Sequence, residues 1–210
     1  MRLRKVKDAD LKIESYPEYI LNIPRGEKYY LNNAFKEKKP LHVEIGSGKG
    51  QFIHEMAKRN PHINFIAIEK FDSVIVKILD KVLIEPLNNL YLVRMDAESI
   101  VECFNAHSIE KIYLNFSDPW PKIRHEKRRL THEDFLKQYE RILIKGGEIE
   151  FKTDNRKLFE YSLISMQQYG LKFVEVSLDL HLDKEIMNIM TEFEEKFSKQ
   201  GPIYKIKAAF

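Results

Sequence analysis

Two stretches of the chain combine residue types in ways that inert structure does not require. The first is VEIGSGKGQF, residues 43 to 52, in which Gly46, Gly48 and Gly50 form a tight turn between an apolar run and a segment of helical period. Glycines at such a turn let the backbone approach a ligand closely, and a helix N-terminus presents free N–H groups to it. The second is YLNFSDPWPKIRHEKRRL, residues 113 to 130. Here Asp118 follows an apolar run and Trp120, the only tryptophan, sits between Pro119 and Pro121. Lys122, Arg124, Lys127, Arg128 and Arg129 then occupy five of eight positions, with His125 and one acid, Glu126, among them. A carboxylate at a strand end can accept a hydrogen bond from a reacting group or stabilise positive charge on it. A cluster of bases beside it suits phosphate. A solvated charged turn is the plain structural reading of the same bases.

The glycine spacing separates three ligand classes. A phosphate-binding loop needs Gly-Lys-Ser/Thr, whereas Lys49 is followed by Gly50. A dinucleotide fingerprint needs G-x-G-x-x-G, and the spacing here is G-x-G-x-G. S-adenosylmethionine has no pyrophosphate but presents an amino-acid end, a ribose and an adenine. Its needs match acids further along the chain. Glu69 closes the second apolar run at about the separation at which nucleoside-binding α/β folds place an acid on ribose hydroxyls. Asp96 closes the third, where its carboxylate or a neighbouring amide can meet an adenine edge. Glu44 is unusual in a central strand. Each acid also has a structural reading: Asp96 as the cap of AESIVECF, Glu44 and Glu69 as partnered surface charges.

These residues need a scaffold that brings strand ends together. Short apolar runs alternate with segments of helical period: LHVEI, QFIHEMAKR, INFIAIE, SVIVKILDKVL, LYLVRMD, a short helix near 98 to 106, KIYLNFSD, HEDFLKQYERILIKGG, EIEFKTD and NRKLFEYSLISMQQYG. The alternation predicts a doubly wound, mostly parallel α/β sheet with helices on both faces, whose right-handed crossovers put all strand C-termini on one ligand-binding rim. In such a sheet the fourth strand lies beside the first, which would set Asp118 across from a cofactor's reactive group. LKFVEVSLDL and PIYKIKAAF predict two further strands, an antiparallel hairpin with a long excursion between them. Thr131 with Asp134 reads as a capping box, and Gly146-Gly147 as the end of that helix.

The length, 210 residues, suits one domain, expected over 31–210 behind a basic, loosely held arm at 1–30 that begins MRLRKVK. A net charge of +3 proves no nucleic-acid partner by itself, so the clustering of the bases is the informative quantity. One cysteine, Cys103, excludes an internal disulfide framework, and the seven histidines show no zinc-ligand spacing, so no metal is expected. No apolar run approaches the ~20 residues of a membrane span, which predicts a cytoplasmic protein.

The run DPWPKIRHEKRR, with GSGKG, strand-end Glu69 and Asp96, FKTDN at 151 to 155 and TEFEEKF at 191 to 197, resembles the bacterial tRNA (guanine-N7-)-methyltransferase family over about residues 40 to 207. The resemblance implies a Rossmann-like class I methyltransferase with a seven-stranded sheet that uses S-adenosylmethionine, releases S-adenosylhomocysteine and modifies a guanine in the variable-loop region of tRNA. It implies a cofactor set of Glu44, Gly46, Ser47, Gly48, Glu69, Lys70, Asp96, Ala97 and Asp118, with Asp118 also catalytic. It implies a substrate set of Lys122, Arg124, His125, Glu126, Lys127, Arg128, Arg129, Asp154, Thr191, Glu192, Phe193 and Glu194. Without it, Thr191 to Glu194 reads as a plain capping box, Asp154 as a cap for NRKLFEYS, and Phe193, four residues before Phe197, as core. Monomer and homodimer are both compatible with the sequence.

Three other functions compete. A non-catalytic RNA-binding protein would explain the basic run but leaves four strand-end acids around a glycine loop without a use. A methyltransferase acting on an exocyclic amine of DNA or protein would carry Asp/Asn-Pro-Pro-Tyr, from which Asp-Pro-Trp-Pro departs at its last two residues. A dinucleotide-dependent oxidoreductase is disfavoured by the glycine spacing.

Overall fold

The computed structural model describes residues 6–23, 30–183 and 187–210. The chain forms two compact units, Met1–Asn105 and Ala106–Phe210.

In the first unit four strands lie in the order β1 (Ile20–Leu21), β4 (Leu90–Arg94), β3 (Asn64–Glu69), β2 (Leu41–Ile45), and every adjacent pair is parallel. All residues of β2 and β3 are buried, which is why these strands read as continuous apolar runs rather than as alternation. The covering helices are α1 (Ala9–Glu14), α2 (Gln51–Arg59) and α3 (Asp72–Ile84). Val74, Ile75, Ile78, Leu79 and Val82 recur at helical spacing and form the buried face of α3.

Part of the segment expected to be a loose arm is packed. Ala9 and Ile13, one turn apart, are buried where α1 meets α3. Lys12 Nζ donates to Asp80 Oδ1 at 2.5 Å, the Val6 amide donates to Ser73 Oγ at 3.0 Å, and Ile20 and Leu21 pair with Leu92 and Val93. This pairing adds an eighth strand to the seven expected. The first five residues of MRLRKVK lie outside the described residues.

In the second unit the order is β5 (Ile109–Asn115), β6 (Leu143–Thr153), β8 (Tyr204–Ala209), β7 (Lys172–Ser177). β5 and β6 are parallel, whereas β8 runs antiparallel to both β6 and β7, so the C-terminal hairpin forms with residues 178–203 as its excursion. α4 (Glu133–Ile142) and α5 (Arg156–Tyr169) pack together and against β6, and α5 also meets β8.

Two local expectations change here. Gly146 and Gly147 do not end α4, which stops at Ile142; they lie inside β6. Ile109 pairs with Leu143 but Lys111 with Glu148, so residues 144–147 form an irregular extrusion that Gly146, at φ +74°, makes possible. The cap of α4 is His132, whose Nδ1 accepts from the Asp134 amide at 3.1 Å, while Thr131 turns inward and shares a hydrogen bond with Ser162 at 2.8 Å.

Candidate active site

In the first unit the predicted cofactor residues converge on the C-terminal ends of β2, β3 and β4. The chain leaves β2 with the Gly46 and Ser47 amides donating to the Ile68 carbonyl at 2.9 and 3.1 Å, and Ser47 Oγ donating to the Glu44 carbonyl at 3.1 Å. Gly46, Gly48 and Gly50 take φ values of +76°, +55° and +81°, the left-handed region that disfavours any residue with a Cβ. The glycines differ in what surrounds them. A Cβ on Gly46 or Gly48 would meet nothing within 4 Å, so their backbone faces open space, whereas one on Gly50 would meet Ile78 Cγ2 at 2.5 Å. Gly50 is therefore required by packing of the loop on α3. Gly46 and Gly48 leave a bare backbone surface.

Glu69 anchors this loop. Its carboxylate is buried; Oε2 accepts from the Gly48 amide at 3.1 Å, and Oε1 accepts from the Lys70 and Phe71 amides at 2.9 and 3.2 Å. The Glu69 carbonyl accepts from the Met95 amide at 3.2 Å, tying the ends of β3 and β4 together. Just beyond, Lys70 Nζ pairs with Asp96, whose Oδ1 also accepts from the Glu98 amide at 3.2 Å and caps the 3₁₀ turn Ala97–Glu102. Partial burial pushes the Asp96 carboxyl upward. The hydrogen bond and charge of Lys70 and the Glu98 amide outweigh it and hold the group below its ordinary value. The capping reading of Asp96 is thus realised, whereas Glu69, like Glu44, is not the surface charge of its structural reading but buried, and serves backbone amides; a ligand contact by Glu69 or Asp96 would be a second use. Glu44 is buried at the end of β2 and is also engaged.

In the second unit β5 ends at Asn115, and the Phe116 amide donates to the Lys152 carbonyl of β6 at 2.8 Å. Asp118 follows. It is exposed and makes no hydrogen bond or ion pair with the described residues. Trp120 adopts φ +41°, rare for a residue with a Cβ, and two arginines of the basic run hold it. The Arg128 guanidinium lies 4.9 Å from the indole centroid, and Arg129 donates from Nε and Nη2 to the Trp120 carbonyl at 3.4 and 3.1 Å. His125 meets the indole edge-on, with ring centroids 5.7 Å apart. The basic run folds into a 3₁₀ turn, Ile123–Arg128, that leaves Lys122, Arg124, Lys127 and Arg128 exposed and His125 and Glu126 half-buried.

Asp154 lies just past β6, exposed, and the cap of α5 is its neighbour Asn155, whose side chain accepts from the Leu158 amide at 2.9 Å. Thr191 caps α6 (Glu192–Phe197), accepting from the Glu194 amide at 3.0 Å. Only that half of the capping box forms. Glu194 does not reach back to the Thr191 amide but turns into the interior, fully buried. There Lys152 Nζ donates to its Oε2 at 2.8 Å, Asn188 Nδ2 donates to its Oε1 at 2.5 Å, and His181 Nε2 lies 3.1 Å from the same oxygen. Lys152 also donates to Asn188 Oδ1 and the Ile189 carbonyl, at 3.1 and 3.0 Å. Phe193 packs on Phe116 and Phe197, with centroids 4.9 and 4.3 Å apart, yet it is 40% exposed, so it lies at the surface and its core reading is not met.

Lys152 was not singled out in the sequence, because in EIEFKT it shares the alternating face of Glu148 and Glu150 and reads as solvated. Its signal was the buried acid it needs, which lies 42 positions away. Tyr161, beneath Arg129, was missed because it reads as one more aromatic on α5.

No group of three or more histidine, cysteine or acidic side chains among the described residues could hold a metal ion, and no helix there is long and apolar enough to cross a membrane. The first unit does fit S-adenosylmethionine: open backbone at Gly46 and Gly48 can meet the amino-acid end, and Glu69, Asp96 and the Ala97 amide lie at the strand ends where a nucleoside would be read.

A family model described as "Putative methyltransferase" matches residues 38–206. Among solved structures, an antibiotic-related methyltransferase aligns over 100% of this chain and 96% of its own at TM-score 0.60 and 16% identity. A 16S rRNA (adenine(1408)-N(1))-methyltransferase from Catenulisporales acidiphilia, crystallised with the cosubstrate SAM, aligns over 81% and 85% at TM-score 0.58 and 12% identity. At such identities these structures establish the class I methyltransferase fold and nothing finer. A tRNA (guanine-N(7)-)-methyltransferase of Bacillus cytotoxicus is 50% identical over 211 aligned positions that cover 100% of this chain and 97% of the relative. With glycine loop, strand-end acids and the DPWP turn in place on that fold, the chain belongs to the tRNA (guanine-N7-)-methyltransferase family.

Proposed function

We propose that this protein transfers a methyl group from S-adenosylmethionine to N7 of a guanine in tRNA, in the variable-loop region. The full-length 50% identity to a relative of that name carries the reading. An exposed Asp118 without a partner among the described residues, beside an exposed basic turn, agrees with it.

When bound, S-adenosylmethionine supplies an electrophilic methyl group on a sulfonium. Guanine N7 has a lone pair in the plane of the neutral base and no proton to lose, so the protein need not supply a strong base. Its work is to orient the base and to stabilise the positive charge the base acquires. We assign that work to Asp118. Gly46, Ser47, Gly48, Glu69, Lys70, Asp96 and Ala97, with Glu44 behind them, are assigned to the cofactor. Lys122, the nearest base to the acid in sequence, is assigned to the target nucleotide, with Asp154 and the Thr191–Glu194 segment. Arg124, Lys127 and Arg128 are assigned to phosphates. A-form duplex buries guanine N7 in a deep, narrow groove, so a base presented outside regular duplex is the accessible target. A tRNA substrate makes the cytoplasm the place of action.

The test is incubation with labelled S-adenosylmethionine and unmodified tRNA, followed by strand cleavage specific for 7-methylguanosine. Label in tRNA with cleavage at one variable-loop position is the expected result. Label on an exocyclic amine would restore the amine-methyltransferase reading, and tRNA binding without label would leave a binding protein.

A further inference from the structure

We infer that Arg129 is a positioning residue that holds the Asp118–Pro121 turn through the Trp120 carbonyl, with Tyr161 as its support, and is not one of the phosphate contacts. The inference deepens the proposed function, since that turn carries the residue assigned to the guanine.

Arg129 differs from every other base of the run. Its side chain is 13% exposed, against 81% for Lys127. Both Nε and Nη2 are directed at one acceptor, the Trp120 carbonyl. The guanidinium carbon lies over the Tyr161 ring, 4.2 Å from its centroid, and Nη1 is 4.0 Å from Glu126 Oε1. The guanidinium is therefore occupied on a face and along an edge before any RNA arrives. Its acceptor belongs to a residue that needs holding, because Trp120 sits at φ +41°, which a Cβ makes unfavourable. Arg128 covers the indole ring and Arg129 fixes the carbonyl, so the turn is held from its side-chain end and its backbone end by consecutive residues. Asp118 is two residues upstream and has no partner of its own among the described residues, so its placement depends on this turn. Lysine cannot replace such a group: it has neither the planar fork nor a flat face to lay on Tyr161.

The experiment uses the full chain, with Trp120 as its own reporter because it is the only tryptophan. Arg129→Lys keeps the charge and loses the fork; Tyr161→Leu keeps Arg129 and removes the ring beneath it; Tyr161→Phe keeps the ring. We expect Arg129→Lys and Tyr161→Leu to lower the anisotropy of the tryptophan emission. Both should cut the single-turnover methylation rate at saturating tRNA and S-adenosylmethionine by about ten- to a hundredfold. The slope of log tRNA affinity against log salt should remain that of the wild type, and Tyr161→Phe should restore rate and anisotropy. A phosphate contact predicts the reverse: Arg129→Lys like the wild type in anisotropy and rate, and Arg129→Ala with a salt slope smaller by about one. That pattern overturns the inference, as does an unchanged rate in Arg129→Lys, which alone decides the matter if Tyr161→Leu does not fold. Should the wild-type protein fail to methylate guanine N7, the functional reading falls, while anisotropy and salt slope still decide the place of Arg129.

Discussion

Glu69 and Asp118 are both acids at the C-terminal end of a parallel strand, yet their surroundings are opposite. Glu69 is buried and accepts from three backbone amides, so it is part of what shapes the glycine loop. Asp118 is exposed and has no partner among the described residues, on a turn held by Arg128 and Arg129 rather than by itself. The first region is preorganised through main-chain amides, which suits an invariant small molecule. The second is preorganised through side chains and leaves its acid available, which suits a group that must respond to charge arising in a transition state. An acid whose electrons are committed to loop amides cannot be re-aimed without loosening the loop. An acid with no structural duty can be replaced without a folding penalty.

The sharpest test of the contrast is therefore Asp118→Asn, which keeps the shape and removes the charge. We expect single-turnover methylation at saturating ligands to fall about 10²–10³-fold, as for loss of one electrostatic contact to a transition state, with thermal stability and tRNA affinity close to wild type. The wild-type chemical rate should show no rising limb near neutral pH, since N7 carries no proton. A rate that rises with pH in the wild type and is flat in Asp118→Asn would make the carboxylate a base and would sink the electrostatic assignment.

The glycine loop offers an internal comparison of its own. Gly50→Ala brings a Cβ within 2.5 Å of Ile78 and adds left-handed strain at φ +81°, so urea denaturation should show a loss of about 3 kcal/mol. Gly46→Ala adds only strain, about 1–2 kcal/mol, because its Cβ would enter open space. Its larger effect should be on S-adenosylmethionine affinity. If Gly46→Ala leaves that affinity intact, the bare backbone there is not the cofactor surface.

Glu69→Ala breaks the other side of the comparison. Removing an acceptor that serves three amides should lower stability by about 2 kcal/mol and weaken S-adenosylmethionine binding in calorimetry. Hydrogen exchange at the Gly48 amide should quicken. Unchanged affinity with a loosened loop would remove Glu69 from the ribose and leave it as an anchor alone.

The two regions also differ in how far they could be read from sequence. All seven expected strands form: the buried parallel ones announce themselves as apolar runs, β7 and β8 as β-branched and aromatic segments near the C-terminus, and the glycine loop was legible from spacing alone. What escaped was pairing over distance. Glu69 could be placed at a strand end, but nothing local says that its partner is the Gly48 amide 21 residues earlier. Thr191 was legible as a cap, whereas Glu194 follows the buried Lys152 rather than its own helix, because an uncompensated lysine in the interior would cost more than an unmade cap contact. The two-residue β1 lacks the length to signal a strand, and His132 caps α4 because Thr131 finds a buried partner in Ser162. The basic run read as one patch, yet the fold separates Arg129 from the exposed residues before it.

The smallest expected effect concerns the outer edge of the cofactor region, where Lys70 pairs with Asp96 in a half-exposed setting. The Asp96 carboxyl is held below its ordinary value of 3.8: burial raises it, and the Lys70 hydrogen bond, the Glu98 amide and the Lys70 charge together lower it further. A group depressed in the folded state stabilises that state above its unfolded pKa. The stabilisation is lost as pH falls through the lower, folded value. Lys70→Met should therefore cost ~0.5 kcal/mol near pH 7, discounted for exposure and read as a melting point lower by about 1–2 °C. The gap between variant and wild type should close below pH 3.8, as Asp96 protonates in both. Because this pair lies beside the strand ends but does not shape the glycine loop, S-adenosylmethionine affinity should fall less than in Glu69→Ala. A melting-point gap that persists undiminished at low pH would mean that Lys70 acts through packing of its stem instead of through Asp96. A loss of affinity equal to that of Glu69→Ala would move the pair from the edge of the cofactor region to its centre.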